Sequence, residues 1–239
     1  MRIDESLCIG CGQCVPYCPM GAIALEAVAT IDRDACVECG ACFRSRICPV
    51  DAFVEEVPEW PRAIRYTFSN PSALHVITGL PGRGTEEMKT NEVTGRFQPG
   101  FVGIGLEFGR PVKGTTFREL EKAAKVLARV GAHFEPKNPV TVLMDVNTGE
   151  FNKDVLDEKA MTAIIECLVP VEKFEEAIAA LKEVAKEINT VFSVEVISRC
   201  KPDGSVPLEP ILDKLNLRYS PWGKTCVGLG RPLAKGGSR

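Results

Sequence analysis

The chain has 239 residues, 45% of them hydrophobic and 26% charged, with a net charge of -3. This is the balance of a globular protein long enough for two domains, not of a disordered chain, and its slight acidity argues against nucleic acid as the main partner, because phosphate neutralisation needs a basic surface. No apolar run approaches the roughly 20 residues of a membrane-spanning helix, and the polar start Met1-Arg2-Ile3-Asp4-Glu5 meets a cysteine motif by Cys8, leaving no room for a secretory segment; a cytoplasmic protein without membrane contact is expected.

Eight of the eleven cysteines fall within the first 48 residues. The first run, Cys8-Ile-Gly-Cys11-Gly-Gln-Cys14-Val-Pro-Tyr-Cys18-Pro19, has the spacing C-x2-C-x2-C-x3-C-P found at bacterial iron-sulfur sites. The second, Cys36-Val-Glu-Cys39-Gly-Ala-Cys42-Phe-Arg-Ser-Arg-Ile-Cys48-Pro49, is the same with two extra residues before its last Cys. Together they form an internal repeat: Ile3, Asp4, Cys8, Cys11, Gly12 and Cys14 return 28 positions later, and Cys18, Pro19 and Ala22 return 30 later. Zinc sites usually pair two C-x2-C hooks across a longer gap, and cytosolic chains rarely keep disulfides, so iron and sulfide suit the pattern better than either. Thiolates separated by two residues wrap one cube tightly, and Gly12 and Gly40 allow backbone N–H groups to approach the sulfides.

On these residues, positions 1–57 resemble the bacterial two-cluster 4Fe-4S ferredoxins, in which the fourth Cys of each run ligates the other run's cluster. The resemblance implies two 4Fe-4S clusters, one held by Cys8, Cys11, Cys14 and Cys48 and the other by Cys36, Cys39, Cys42 and Cys18. It also implies electron transfer with a redox partner protein. One departure is the longer gap between Cys42 and Cys48, which carries Arg44 and Arg46; it reads as a tolerated loop, as cations raising a cluster's potential, or as a dock for an anionic partner. Nine acids against four bases in this region give -5 before any cluster is counted, an acidic face that would steer toward a basic docking site. So short a stretch buries little apolar surface alone, so the clusters are expected to hold it folded.

Pro58-Glu59-Trp60-Pro61 marks a boundary. Arg62–Phe68 alternates like a strand, and 70–100 reads as a long loop rich in Gly, Pro and charge. Beyond Gly100 the pattern predicts a strand over Phe101–Phe108, a helix over Thr115–Val130, strands over Pro139–Val146 and Ala160–Val169, a helix from Pro170 to about Ile188, and a strand over Thr190–Arg199. The expected fold class is therefore α+β: a dicluster ferredoxin domain (1–57), a linker and loop (58–100), a βαββαβ sandwich with an antiparallel sheet (101–200), and an extension (201–239). The order βαββαβ is similar to that of ACT-type regulatory domains, which commonly bind small ligands between copies; this implies a small-molecule ligand and a homo-oligomer as further partners to test.

Strand parity puts Glu107, Asp145, Glu166 and Glu195 on the sheet face away from the helices, as a solvated face, a cation or basic-peptide site, or partners for Arg62, Arg65, Arg83 or Arg96. Gly103-x-Gly105 lies inside a strand and makes no dinucleotide fingerprint, and Gly223-Lys224-Thr225 lacks the first Gly of a phosphate loop. Val102–Pro111 is echoed at Val227–Pro232, with no chemistry attached. His75 and His133 are the only histidines. Cys167 is expected in the core, whereas Cys200 and Cys226 lie near loops and are candidates for reactivity or for ligating a further group. An electron carrier or redox subunit fits better than a stand-alone enzyme. The rival readings are a ligand-responsive redox module and the iron-sulfur subunit of an oxidoreductase.

Overall fold

The computed structural model describes residues 1–75, 79, 95–110 and 114–219. Its N-terminal part is built from very short strands: β1 (Arg2–Ile3), β2 (Ile23–Leu25), β3 (Ala29–Ile31) and β4 (Phe53–Val54), with a one-turn helix α1 (Ala41–Arg44) between β3 and β4. The pairs β1–β4 and β2–β3 are both antiparallel, so residues 2–3 lie beside residues 53–54 and the repeat closes on itself. Buried between these pairs is a small apolar cluster of Met1, Ile3, Cys14, Ile23, Ala29, Ala52 and Phe53.

Where alternation suggested a strand over Arg62–Phe68, the chain forms helix α2 (Ala63–Ser69). Ile64 and Phe68 are spaced four apart, a separation that suits one helix face as well as alternate strand positions, and both are buried in the larger core that follows. Phe68 meets Phe117 edge-on at 5.2 Å.

That larger core lies under a four-stranded sheet whose order is β10-β5-β9-β7, with every neighbouring pair antiparallel. Its strands are β5 (Phe101–Phe108), β7 (His133–Phe134), β9 (Ala163–Pro170) and β10 (Phe192–Ile197), and a separate two-residue pair joins β6 (Thr115–Thr116) to β8 (Lys159–Ala160). Val102, Ile104, Leu106 and Phe108 of β5 alternate into the core beside Ala163, Ile165, Cys167 and Val169 of β9. They are covered by helix α3 (Phe117–Arg129), through Phe117, Leu120, Ala124 and Leu127, and helix α4 (Phe174–Glu187), through Phe174, Ile178 and Leu181. A short α5 (Glu209–Lys214) adds Leu208 and Leu212 to the same core.

Pro139–Val146, expected as a strand, is not one. Asn138 is fully buried and its side-chain oxygen accepts the Val140 N–H at 2.7 Å, turning the chain into a 3-10 turn over Thr141–Leu143. Val142 and Val146 then point to solvent, and the side of β9 away from β5 is paired by the two-residue β7. Asp145 consequently leaves the sheet face and accepts the Asn147 N–H in a local turn. Glu107, Glu166 and Glu195 do stand on strands, with Glu195 and Glu166 opposite Gly105 on its two sides. Glu107 pairs with Arg110 at 3.0 Å, and buried Glu166 accepts from Asn138 at 2.5 Å. Of the four arginines proposed to face these acids, Arg96 pairs instead with Glu135, Arg62 turns to Glu38, and Arg65 bridges Glu158 and the carbonyls of Asp34 and Cys36.

Cys167 is buried in the core as expected and Cys200 is exposed. Arg83, Cys226, the Gly223-Lys224-Thr225 triplet and the echo at Val227–Pro232 lie outside the described residues, as does most of the expected loop. Among the described residues no helix is long and apolar enough to cross a membrane.

Two candidate metal centres

Each cysteine run curls into a loop rather than a long helix. In the first, Gly10 takes φ +68°, and a Cβ there would stand 2.4 Å from the Ala27 carbonyl oxygen, so this turn packs against the β2–β3 hairpin only with glycine. The second run makes the corresponding turn with Glu38 at φ +56°. Left-handed backbone on a non-glycine residue is costly unless surroundings fix it, and here Glu38 is held by three groups. Its carboxylate receives the Met1 ammonium at 2.5 Å and Arg62 at 2.7 Å, with Arg33 at 3.6 Å, and the Arg62 Nε donates at 2.8 Å. Burial pushes this carboxyl up, but the hydrogen bonds and charges of Met1 and Arg62 outweigh it and hold it below the usual carboxylate range.

The eight motif cysteines surround two cavities. One is lined by Cys8, Cys11, Cys14 and Cys48 together with Ile3, Val50 and Phe53. The other is lined by Cys18, Cys36, Cys39 and Cys42 together with Met20, Ile23 and Val37. In each, three cysteines come from one run and the fourth from the other.

The donor set fits a cationic iron-sulfur group. Backbone N–H groups point at sulfur: Ala22 donates to Cys18 Sγ at 3.1 Å, Ala52 to Cys48 Sγ at 3.3 Å, and Ala29 to Cys8 Sγ at 3.4 Å. The first two are the same contact in the two halves of the repeat. Such N–H groups stabilise negative charge on a ligating sulfur. Without a cation, Cys14, Cys36, Cys39 and Cys42 resist ionisation. Burial raises the Cys14 thiol, with Cys11, Cys8 and Cys48 adding to the effect, and Cys42 is pushed up to about 12, first by burial and then by Cys39, Cys36 and Cys18. Burial likewise raises Cys36 and Cys39. A bound metal group reverses that preference by making thiolates the favoured state.

The two settings differ. Cys11 is exposed, and Leu7 and Ile9 beside it are 50% and 64% accessible. Val37, Glu38, Cys39 and Gly40 are all buried. Arg44 lies on the second site: its guanidinium donates to Asn70 at 2.8 Å, it sits where a Cβ on Gly40 would meet it at 2.7 Å, and its charge opposes the rise at Cys39. Arg46 is exposed and turns the chain with φ +50°.

Sequence reasoning missed Glu38, Arg62, Arg65 and Asn70 as parts of this region. The signal for Glu38 was present as a break in the repeat, since position 10 is Gly and position 38 is Glu.

Residues 1–24 match the 4Fe-4S binding domain family. The chain is similar to the "Ferredoxin-like protein in vnf region" of Azotobacter chroococcum, at 38% identity over 63 residues, which is 25% of this chain and 97% of that protein. It is 50% identical over 40 residues to Ferredoxin-1 of Rhodobacter capsulatus, covering 16% of this chain and 62% of the relative. With pyruvate synthase subunit PorD of Methanothermobacter marburgensis it shares 41% identity over 54 residues, 23% of this chain and 62% of that subunit. No solved structure matches the chain. A relative matched across nearly its whole length, together with a 4Fe-4S domain match over residues 1–24, establishes that this chain belongs, through its N-terminal region, to the 4Fe-4S ferredoxin-like proteins.

Proposed function

We propose that the protein holds two 4Fe-4S clusters, one on Cys8, Cys11, Cys14 and Cys48 and one on Cys18, Cys36, Cys39 and Cys42, and passes single electrons between redox partners. The observation that carries this is the lining of the two cavities, each by three cysteines of one run and one of the other. When bound, a 4Fe-4S cluster supplies one-electron exchange. The chain's own residues supply ligands, N–H donors to sulfur, and an apolar wall that keeps water from much of each site. Exposed Cys11, flanked by Leu7 and Ile9, is the side from which a partner reaches the first cluster, and the acids of residues 1–57 favour a basic partner surface.

We read the rest as a βαββαβ sandwich formed by β5, α3, β7, β9, α4 and β10, which chooses or orients the partner. The sheet order β10-β5-β9-β7 supports that reading. The proposed division is 1–57 for the ferredoxin domain, 58–100 for the connection, 101–200 for the sandwich and 201–239 for an extension, with the qualification that α2 shares the sandwich core. A second form of the same function, an iron-sulfur subunit within a larger oxidoreductase, is favoured by the likeness to pyruvate synthase subunit PorD. The ligand and homo-oligomer expectations gain no support from the described residues.

Redox titration of anaerobic protein followed by electron paramagnetic resonance tests the proposal. Two one-electron reductions, with magnetic interaction between the reduced centres, are expected; a protein that accepts no electrons at low potential contradicts it.

A further inference from the structure

Helix α2 belongs to the C-terminal core through Ile64 and Phe68, yet its arginines reach the other way. Arg65 is buried at 6% accessibility. Its Nη1 donates to the carbonyls of Asp34 and Cys36 at 2.9 Å and of Arg33 at 3.3 Å, while its Nε pairs with the carboxylate of Glu158, just before β8. One turn earlier Arg62 reaches the Cys36 carbonyl at 3.4 Å and the buried Glu38 carboxylate. Ser69, from the same helix, accepts the Met161 N–H at 2.9 Å. The loop from Arg33 to Cys39, which carries two ligands of the second site, is therefore fastened to the sandwich by two cations. None of these groups lines the first cavity.

We propose that Arg62 and Arg65 are positioning residues for the second cluster, clamping the Cys36–Cys39 loop to the C-terminal sandwich so that this cluster alone depends on the sandwich for its retention and its potential. The inference rests on the two-cluster reading. A buried guanidinium with four acceptors holds its geometry because any movement strands charge or carbonyl groups away from water. Loosening the clamp lets water and chelator reach the Cys36 and Cys39 thiolates and changes the fixed dipoles around them. The first cluster, whose loop receives no hydrogen bond from Arg62 or Arg65, serves as an internal control.

The test uses full-length holoprotein prepared anaerobically, with R65Q, R65K and E158Q, and with R118Q as a control that breaks the exposed Arg118–Asp157 pair near Glu158 but touches neither cysteine loop. Chelator-driven iron release and redox titration are measured on each. In R65Q and E158Q, half of the iron is expected to leave about tenfold faster or more while the other half keeps the wild-type rate. One of the two potentials moves and the other stays. R65K, which keeps the charge and a donor, restores much of the slow release; R118Q matches wild type. If R65Q fails to fold, E158Q and R65K decide alone. Wild-type protein with two clusters, but variants that lose all their iron uniformly or at the wild-type rate, would overturn the clamp and leave the two-cluster reading standing. Wild-type protein with a single cluster would overturn both.

Discussion

The third position of the first cysteine loop is Gly10, and 28 residues later the same position is Glu38. Around this difference the two halves of the repeat diverge. The first loop packs its backbone against the β2–β3 hairpin and leaves Cys11, Leu7 and Ile9 accessible. The second buries Val37 to Gly40 and surrounds a carboxylate with Arg62, Arg33 and the Met1 ammonium. The shared C-x2-C-x2-C spacing thus coexists with unequal surroundings, and the surroundings distinguish the two sites. Under the proposed function a partner approaches the first, whereas the loop of the second is tied by Arg62 and Arg65 to α2 and Glu158.

The most severe way to break the comparison is to remove the exchanged cysteines. Cys48→Ala should empty the first site and Cys18→Ala the second, each variant retaining about half of the wild-type iron under the four-iron, four-ligand rule. Iron and sulfide analysis checks this, and a variant that loses all its iron in both cases would mean that the halves are not separable. Next in size is Gly10→Ala. The added methyl meets a backbone oxygen and forces L-residue strain at φ +68°, costing on the order of 1–3 kcal/mol in the first half. Chelator should therefore extract iron faster from the first site of this variant, the opposite selectivity to that of the Arg65 variants.

A smaller, purely electrostatic effect separates Arg44 from Arg46. Arg44 lies against Gly40, between two ligands of the second site, so Arg44→Gln should lower that cluster's potential by some tens of mV, on the scale of about 59 mV per tenfold change in a one-electron equilibrium. Arg46→Gln, at an exposed turn, should shift it less. Equal shifts in the two variants would assign the effect to general surface charge. The least disturbance is expected outside the repeat: replacing Cys167 or Cys200 by Ala leaves the iron content unchanged, with a loss on the order of 1 kcal/mol at buried Cys167. Burial pushes the Cys167 thiol up to about 12, and iodoacetamide should modify exposed Cys200 while sparing Cys167 in the folded protein.

The cysteine repeat was legible because ligand chemistry imposes spacing directly on the sequence. Long amphipathic elements were legible for a similar reason: α3, α4, β5 and β9 each repeat their period several times. What the sequence hid was written in single residues. Asn138 turns the chain by one side-chain hydrogen bond and abolishes the strand that Val140, Val142 and Met144 suggest. The true edge strand, His133–Phe134, is too short to show any period. Arg62 and Arg65 reach across 24 and 93 residues of sequence to Glu38 and Glu158, a pairing that no local pattern encodes. Ile64 and Phe68 satisfied a strand pattern and a helix pattern equally, and burial against Phe117 chose the helix.

The central claim is that eight cysteines make two equivalent ligand sets in unequal surroundings. Iron and acid-labile sulfide, measured together with zinc on protein purified and kept under anaerobic conditions, test it most directly. About eight irons and eight sulfides per chain, with negligible zinc, are predicted. About four of each, or zinc in their place, would contradict it.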